Sequence, residues 1–350
     1  MKRPVSQVGM KWVVEALGRL PHRLQSAIGG SRLNQPGHVL SAEVAMFLRL
    51  MGDRELARPQ HQPLDKVREQ TDHDAWVFGG CDAPVDLERS FTIDGQGGPV
   101  PVKTFVTNDC AQGVLIYFHG GAWVSGSLAS CESICRYLAR EARLHVLSVD
   151  YRLAPEHPFP AAIDDALAAY EHVLKEMQAA NTPGAFIAVA GDSAGGNIAA
   201  ALCYTLREQK RRLPDFQLLF YPVLDNENRS TSYSLFETGY VLTADQMNWA
   251  RELYVPSRAY SDPAVSPLLA DSFEGLPPTY IATAEFDVLR DEGEAYAHLL
   301  SAAGVNVTLC RAAGLIHGFA NMMGVSRVAR QEMQQAVAAL VRSRQVHGGK

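Results

Sequence analysis

Short apolar runs alternate with helix-forming segments along most of the chain, and this alternation limits the fold more than any other feature. Six runs have the length of buried strands: 114–118, 145–149, 186–190, 217–221, 279–284 and 305–309. Helical spacing occurs in the segments 131–143, 161–177, 197–209, 290–303 and 327–344. A repeated strand–helix–strand order is typical of a mostly parallel sheet flanked by helices. The sequence therefore predicts an α/β fold.

Two further strands precede this alternation. Residues 91–93 and 100–106 are largely apolar, and the turn-forming sequence 94–99 divides them. This pattern predicts an antiparallel hairpin. With the six later runs, the hairpin completes a predicted sheet of eight strands.

Two regions lie outside the sheet pattern. The first eighty residues carry apolar side chains at helical spacing, separated by Gly- and Pro-containing breaks, which predicts helices. The interval 225–271 is aromatic-rich and longer than a crossover between strands requires. We expect a helical cap with residues 1–85 as its N-terminal part, 86–350 as the main domain and 225–271 as an inserted cap segment. The alternative is that 225–271 is a long connecting segment that packs on the protein without contacting substrate.

The pentapeptide 191–195, Gly-Asp-Ser-Ala-Gly, lies between the strand 186–190 and the following helix. Glycines on both sides of Ser193 allow a strand and a helix to approach closely through a sharp turn. Such a turn lifts the serine hydroxyl clear of the backbone. Ser193 is therefore a candidate nucleophile.

A serine hydroxyl becomes a good nucleophile when a histidine accepts its proton and a carboxylate orients that histidine. Only His298, His317 and His347 follow Ser193 in the chain. His298 falls in a helical pattern and His347 in a Gly-rich tail. His317 follows the strand 305–309, where we expect a flexible loop to carry its imidazole toward Ser193.

Sequence position defines the carboxylate that orients the histidine less well. Four carboxylates follow the strand 279–284, namely Glu285, Asp287, Asp291 and Glu292. Asp291 and Glu292 can stabilise the first helical turn without any catalytic role. Asp287 is favoured in the loop before that helix, and Glu285 remains the competing choice.

The sequence 119–123, His-Gly-Gly-Ala-Trp, follows the strand 114–118. Glycines let backbone amides approach a substrate oxygen, as an oxyanion hole requires. The alternative is that the two glycines form a plain turn with no catalytic role. The position of this loop before the nucleophile strand favours the oxyanion hole, and Gly120, Gly121 and Ala122 are its candidate residues.

Composition limits the partners of the chain. Its 38 acidic and 32 basic residues give a net charge of −6, so nucleic-acid binding is not expected. The six cysteines form no CxxC pair, and we expect free thiols with no metal and no cofactor. No apolar run is long enough to span a bilayer, and charged residues interrupt any signal-peptide core. We expect a cytoplasmic monomer or homodimer that acts on a small molecule.

Taken together, these motifs give the chain a close resemblance to the hormone-sensitive-lipase-like, or bacterial family IV, carboxylesterases of the α/β-hydrolase superfamily. The resemblance covers about residue 91 to the C-terminal helix. Five motifs carry it: His-Gly-Gly-Ala-Trp at 119–123, Tyr-Arg-Leu-Ala-Pro-Glu at 151–156, Gly-Asp-Ser-Ala-Gly-Gly at 191–196, Asp-Val-Leu-Arg-Asp at 287–291 and His-Gly-Phe at 317–319.

The resemblance implies a residue for each catalytic role. Ser193 is the implied nucleophile, Asp287 the orienting acid and His317 the base. Amides of Gly121, Ala122 and Ala194 are the implied oxyanion hole. The implied activity is hydrolysis of short- to medium-chain acyl esters through an acyl-serine.

The chain departs from the family pattern at two positions. Ala122 stands where the family often has a third glycine, and Val288 where it often has proline. Neither change removes a catalytic group, although the Ala122 methyl narrows the space beside the hole. Two other functions stay open: an arylformamidase-like amide hydrolase and a non-catalytic small-molecule receptor.

Overall fold

One sheet of eight strands forms the centre of the molecule. The computed structural model describes residues 5–31, 35–52, 59–80, 84–107 and 113–348. The strands are β1 Leu87–Gly95, β2 Gly98–Val106, β3 Gly113–Phe118, β4 His145–Val149, β5 Phe186–Asp192, β6 Phe216–Phe220, β7 Thr279–Phe286 and β8 Val307–Ile316. Their order across the sheet is β1-β2-β4-β3-β5-β6-β7-β8.

The six strands β4, β3, β5, β6, β7 and β8 are parallel to one another. β1 and β2 pair antiparallel at one edge, where β2 also runs antiparallel to β4. β5 is buried along its whole length, because strands lie on both sides of it and helices cover its faces. The predicted α/β fold, the eight strands and the hairpin are confirmed.

Eleven α-helices occur in the described part of the chain. They are α1 Val5–Gly18, α2 His22–Gly29, α3 Ala42–Met51, α4 Leu64–Gly79, α5 Glu132–Ala142, α6 Ala161–Ala179, α7 Ala194–Glu208, α8 Thr231–Leu235, α9 Ala244–Tyr254, α10 Arg290–Ala302 and α11 Arg327–Gly348. α5 and α11 pack together against the sheet, and α6 and α7 do the same as a second pair.

Two sequence-based boundaries near candidate histidines are wrong. β8 continues to Ile316 instead of ending near residue 309, because Ile316 pairs with Phe286 beyond an irregularity in β7. α11 continues to Gly348, so His347 lies in a helix and not in an irregular tail. A glycine near a chain end does not by itself end a helix whose earlier turns pack well.

The N-terminal helices and the 225–271 insertion meet above the sheet. The side chain of Gln35 donates a hydrogen bond to the Tyr240 hydroxyl at 3.0 Å, and the edge of the His38 ring packs on Phe236. α9 also packs on the 3-10 helix Pro59–His61. The two regions predicted to share one cap are therefore in contact.

Four cysteines lie in the described residues, and all four are free thiols: Cys131, Cys135, Cys203 and Cys310. Cys81 and Cys110 lie outside the described residues. Within the described ranges, no helix combines the length and the apolar character needed to cross a membrane.

Candidate active site

Ser193 occupies a sharp turn between β5 and α7. Its φ is 56° and its ψ is −119°, a strained conformation for a residue with a side chain. The turn is also very tight, since a Cβ atom on Gly195 would overlap the Phe118 carbonyl and one on Gly191 would overlap the backbone of Gly195. The glycines on either side of Ser193 are therefore required by close packing.

Three side chains from three strand ends form a continuous hydrogen-bonded chain. Ser193 Oγ lies 2.9 Å from His317 Nε2, and His317 Nδ1 lies 2.7 Å from Asp287 Oδ2. The Asp287 carboxylate is completely buried, and its second oxygen accepts the Leu289 N–H at 3.0 Å. With Asp287 accepting from Nδ1, His317 Nε2 is free to take the serine proton.

Strand β8 holds His317 more rigidly than the sequence suggests. His317 directly follows Ile316, the last residue of β8, so the expected flexible loop does not exist. The backbone before it is anchored, because the Gly314 N–H donates to Glu285 at 2.6 Å and the Gly314 carbonyl accepts the Ser41 N–H at 2.9 Å.

Glu285, the other candidate for the orienting carboxylate, contacts different residues. Glu285 Oε1 lies 2.7 Å from His38 Nδ1, while its other oxygen accepts the Gly314 N–H. These bonds connect the N-terminal region and β8. Glu285 is not within hydrogen-bond distance of His317, so Asp287 is the carboxylate that contacts the imidazole.

The two other late histidines lie away from this chain of hydrogen bonds. His298 is within α10. His347 lies in α11, where its ring contacts Asp215 at 3.2 Å and the Gly184 carbonyl at 2.8 Å. Only His317 of the three reaches Ser193.

Gly120 cannot serve as predicted in the oxyanion hole. Its N–H already donates to Asp192 Oδ1 at 3.0 Å, so it is not available to a substrate oxygen. Among the described residues, the N–H groups of Gly121, Ala122 and Ala194 have no acceptor. Gly121 and Ala122 line the same cavity as Ser193, and Ala194 directly follows Ser193 as the first residue of α7. These three amides are therefore the candidates for an oxyanion hole.

Asp192 holds residues 119–125, which we call the glycine loop, in place. Besides the Gly120 N–H, its Oδ1 accepts the Tyr117 hydroxyl at 2.8 Å. Burial raises the pKa of the Asp192 carboxyl, and the bonds from Tyr117 and Gly120 oppose that rise. Sequence patterns assigned no role to Asp192, although its position next to Ser193 was an available signal.

A pair of stacked rings supports the start of the same loop. The imidazole of His119 stacks on Tyr151 with ring centroids 4.3 Å apart, and the Tyr151 hydroxyl donates to the His119 carbonyl at 2.8 Å. Complete burial lowers the pKa of His119 to about 4. Its ring is therefore neutral near pH 7 and acts as packing for the loop.

Ala122 and Trp123 have left-handed backbone conformations, with φ of 54° and 61°. This geometry favours glycine at position 122, so Ala122 is accommodated there with some strain. The buried Trp123 indole stacks on Tyr254 of α9 at 4.4 Å. The stacking fixes the far end of the loop.

Ser193 and His317 open into a cavity of about 340 Å³. Most of its wall is apolar and comes from α3, α4 and the insertion. The main apolar contributors are Phe47, Leu48, Met51, Phe78, Leu242 and Trp249. An apolar wall lowers the local dielectric and so strengthens electrostatic interactions at the reacting oxygen.

Comparison with known proteins decides the family. Residues 115–321 match a family model described as the alpha/beta hydrolase fold. The chain belongs to this family. Within it, the chain is a carboxylic ester hydrolase of the hormone-sensitive-lipase-like group, as its relatives indicate.

Two curated relatives are named as ester hydrolases. The carboxylic ester hydrolase LipN of Mycobacterium tuberculosis is 40% identical over 260 residues, which cover 71% of this chain and 68% of LipN. The ethyl acetate hydrolase of Pseudomonas putida is 35% identical over 314 residues, which cover 86% of this chain and 98% of that enzyme.

A solved structure agrees with this assignment. An ester hydrolase from the metagenome of Lake Arreo is 36% identical to this α/β-hydrolase, with a TM-score of 0.81. The match covers 89% of this chain and 100% of that one. It therefore extends beyond the residues that match the family model.

Helix α4 of this α/β-hydrolase is bonded directly to the glycine loop, a feature that sequence patterns did not reveal. Arg68 Nε donates to the Val124 carbonyl at 2.9 Å, and its other nitrogens bind Glu156 and the Ala154 carbonyl. One turn later, Thr71 donates to the Ser125 hydroxyl at 3.2 Å. The N-terminal helices thus contact the backbone that presents the candidate oxyanion hole.

Proposed function

We propose that this carboxylesterase hydrolyses short- to medium-chain acyl esters with Ser193 as nucleophile, His317 as general base and acid, and Asp287 as the orienting carboxylate. The main support for the proposal is the pair of hydrogen bonds that link Ser193 to His317 and His317 to the buried Asp287. Family membership supports the same assignment.

In the first half-reaction, Ser193 Oγ attacks the ester carbonyl carbon while His317 Nε2 takes the hydroxyl proton. The carbonyl oxygen becomes negative and accepts hydrogen bonds from the amides of Gly121, Ala122 and Ala194. His317 then returns the proton to the departing alcohol, which leaves an acyl-serine.

In the second half-reaction, His317 takes a proton from water as the water oxygen attacks the acyl-serine. Collapse of the second tetrahedral intermediate releases the carboxylic acid and returns the proton to Ser193. Asp287 stabilises the imidazolium formed in each half-reaction. The protein's own side chains complete the proton cycle.

We also propose that residues 1–85 and 225–271 act as the cap and 86–350 as the hydrolase domain containing the insertion. The contacts between α9, the 3-10 helix Pro59–His61 and the segment around Gln35 support a shared cap. The limited cavity of about 340 Å³ favours compact acyl chains. Cytoplasmic location and the monomer or homodimer stay predictions.

Replacing Ser193 tests the mechanism. We expect Ser193→Ala to lower kcat for p-nitrophenyl butyrate by about 10⁴-fold or more, and to abolish covalent labelling by a fluorophosphonate probe. Ser301→Ala, which removes an exposed hydroxyl on α10, is the matched control. A folded Ser193→Ala enzyme with wild-type turnover would exclude Ser193 as nucleophile.

A substrate panel tests the reaction class. We expect p-nitrophenyl esters of short and medium chains to be hydrolysed faster than long-chain esters, because a longer chain exceeds the cavity. N-formyl anilides are the comparison substrates. Faster turnover of the anilides than of matched phenyl esters would point to amide hydrolysis. Absence of both turnover and fluorophosphonate labelling would point to a receptor.

A further inference from the structure

Among the residues that the structure describes, one carboxylate in the cavity wall has no role in the site described above. Asp74 lies on α4 and lines the same cavity as Ser193 and His317. The other lining carboxylate, Asp192, is committed to Tyr117 and Gly120. Among the described lining residues, Asp74 is therefore the carboxylate that neither takes part in the reaction nor holds the loop beside Ser193.

The hydrogen-bonding capacity of Asp74 is largely unfilled. Its Oδ1 accepts one hydrogen bond, from the Gln70 amide nitrogen at 2.7 Å. A carboxylate can accept about four hydrogen bonds, and no Lys or Arg belongs to the described cavity wall. Burial raises the pKa of the Asp74 carboxyl, while Gln70 and the neighbouring His73 oppose that rise. A partly buried acceptor with so few hydrogen-bond donors is costly unless a ligand donates to it.

The cavity wall contains a second polar side chain with unused hydrogen-bonding capacity. Asn321 lines the same wall from the 3-10 helix Phe319–Met322, which packs on α4. Its Oδ1 is buried and has no hydrogen-bond partner among the described residues. The mostly apolar cavity wall therefore contains a second polar group with an unused acceptor atom, on a 3-10 helix that packs on α4.

We propose that Asp74 is a specificity-determining residue that accepts a hydrogen bond from a hydroxyl group on the substrate. The preferred substrates are then esters that carry a hydroxyl on the acyl or alcohol part, and not plain alkyl esters. The proposal rests on the proposed function, because it assigns a substrate class to the same active site.

Two pairs of nearly isosteric esters test this preference. Methyl ω-hydroxyhexanoate and methyl heptanoate place the hydroxyl on the acyl side, whereas 2-hydroxyethyl butyrate and propyl butyrate place it on the alcohol side. Titration of released acid gives kcat/KM for each ester. For the wild-type enzyme, we expect a higher kcat/KM for the hydroxylated ester in one of the two pairs. Which pair shows this preference tells whether Asp74 binds a hydroxyl on the acyl side or on the alcohol side.

Substitution of Asp74 tests the cause of that preference. We expect Asp74→Leu to lower the hydroxyl-to-alkyl ratio of kcat/KM by about tenfold, because leucine cannot accept the bond. Asp74→Asn keeps a neutral acceptor, so its ratio should be intermediate. Asp65→Asn removes a carboxylate from the exposed face of the same helix and should leave the ratio unchanged.

The outcomes separate the two proposals. Equal turnover of both members of both pairs by the wild-type enzyme would overturn the Asp74 proposal even if Asp74→Leu did not fold. An unchanged ratio in a folded Asp74→Leu enzyme would also overturn it. Failure of the wild-type enzyme to hydrolyse any of the four esters or the p-nitrophenyl esters would instead overturn the proposed function.

Discussion

At the scale of single residues, buried polar side chains hold the glycine loop beside Ser193. Asp192 sits beneath the loop and accepts hydrogen bonds from Tyr117 and Gly120. The cost of burying this carboxylate is offset only while both donors remain. His119 supports the loop from the other side as a neutral, stacked ring.

Removal of the Tyr117 hydroxyl should therefore destabilise the protein. We expect Tyr117→Phe to lower the free energy of unfolding by about 2 kcal/mol and to reduce kcat, because Asp192 loses a donor and Gly120 shifts. Urea denaturation and ester turnover measure the two effects.

Tyr254→Phe is the control for this change. Tyr254 is also fully buried, but its hydroxyl has no hydrogen-bond partner among the described residues. Its loss should cost little. Equal stability of the two variants would show that the bond from Tyr117 to Asp192 contributes nothing.

The low pKa of His119 predicts a loss of stability in acid. The folded protein binds a proton at His119 only near pH 4, whereas an unfolded chain binds it near the ordinary value of 6.5. The unfolded state is therefore favoured as pH falls from 6.5 toward 4, by up to about 3 kcal/mol. Above pH 6.5 this contribution to stability is complete.

Urea denaturation between pH 4 and 7 checks this sign. We expect His119→Gln to show a shallower fall in the free energy of unfolding than the wild-type protein. His61→Gln, at an exposed position, should follow the wild-type curve. Parallel curves for wild type and His119→Gln would contradict the assignment.

At the scale of elements, hydrogen bonds join α4 to the glycine loop. Arg68 and Thr71 lie one turn apart on α4 and contact Val124 and Ser125. The Ser125 hydroxyl donates in turn to the Gly121 carbonyl at 3.1 Å. A shift of α4 would therefore move the peptide that precedes Ala122, whose N–H is a candidate oxyanion donor.

Substitution of Arg68 should reduce turnover more than binding. We expect Arg68→Met to lower kcat by roughly 10- to 100-fold with a smaller change in KM, because the oxyanion amides lose their alignment. Steady-state kinetics on a short ester separates the two constants. Lys66→Met, which changes an exposed side chain of the same helix, should leave both unchanged.

A rise in KM alone for Arg68→Met would assign α4 to substrate binding and not to alignment of the loop. Thr71→Val provides an independent check, since it keeps the side-chain shape but removes the bond to Ser125. It should change kcat in the same direction by a smaller factor.

At the scale of the whole molecule, one buried carboxylate joins the N-terminal region to the C-terminal helix. Glu43 of α3 accepts hydrogen bonds from the Ser326 hydroxyl at 2.6 Å and the Arg327 N–H at 2.8 Å. It also contacts Arg327 Nε at 2.9 Å. A negative charge at the start of α11 is stabilised by the helix dipole.

Loss of this link should loosen the N-terminal helices before the sheet. We expect Glu43→Ala to lower the free energy of unfolding by about 2 to 3 kcal/mol. Amide hydrogen exchange should accelerate in α3 while β5 stays protected. Glu141→Ala, at an exposed ion pair on α5, should have little effect.

Uniform acceleration in α3 and β5 would instead indicate that the N-terminal helices and the sheet unfold together. Unchanged exchange in α3 would show that Glu43 does not hold this region in place.

The amino-acid sequence by itself determined the alternating α/β fold, the tight turn at Ser193 and the choice of His317. These features depend on local patterns: apolar periodicity, glycine spacing and the order of residues along the chain. The sequence left Asp287 and Glu285 as alternatives until the family resemblance favoured Asp287. The contacts of Glu285 with His38 and Gly314 agree with that choice.

Only the tertiary structure decided which polar groups are already occupied and which are free. Gly120 was a reasonable oxyanion donor by position, but a carboxylate 72 residues away takes its N–H. The bonds of Arg68 to the glycine loop and the unfilled acceptor on Asp74 likewise depend on packing between distant segments. Such contacts leave no periodic trace in the sequence, because hydrogen-bond satisfaction is set by three-dimensional neighbours.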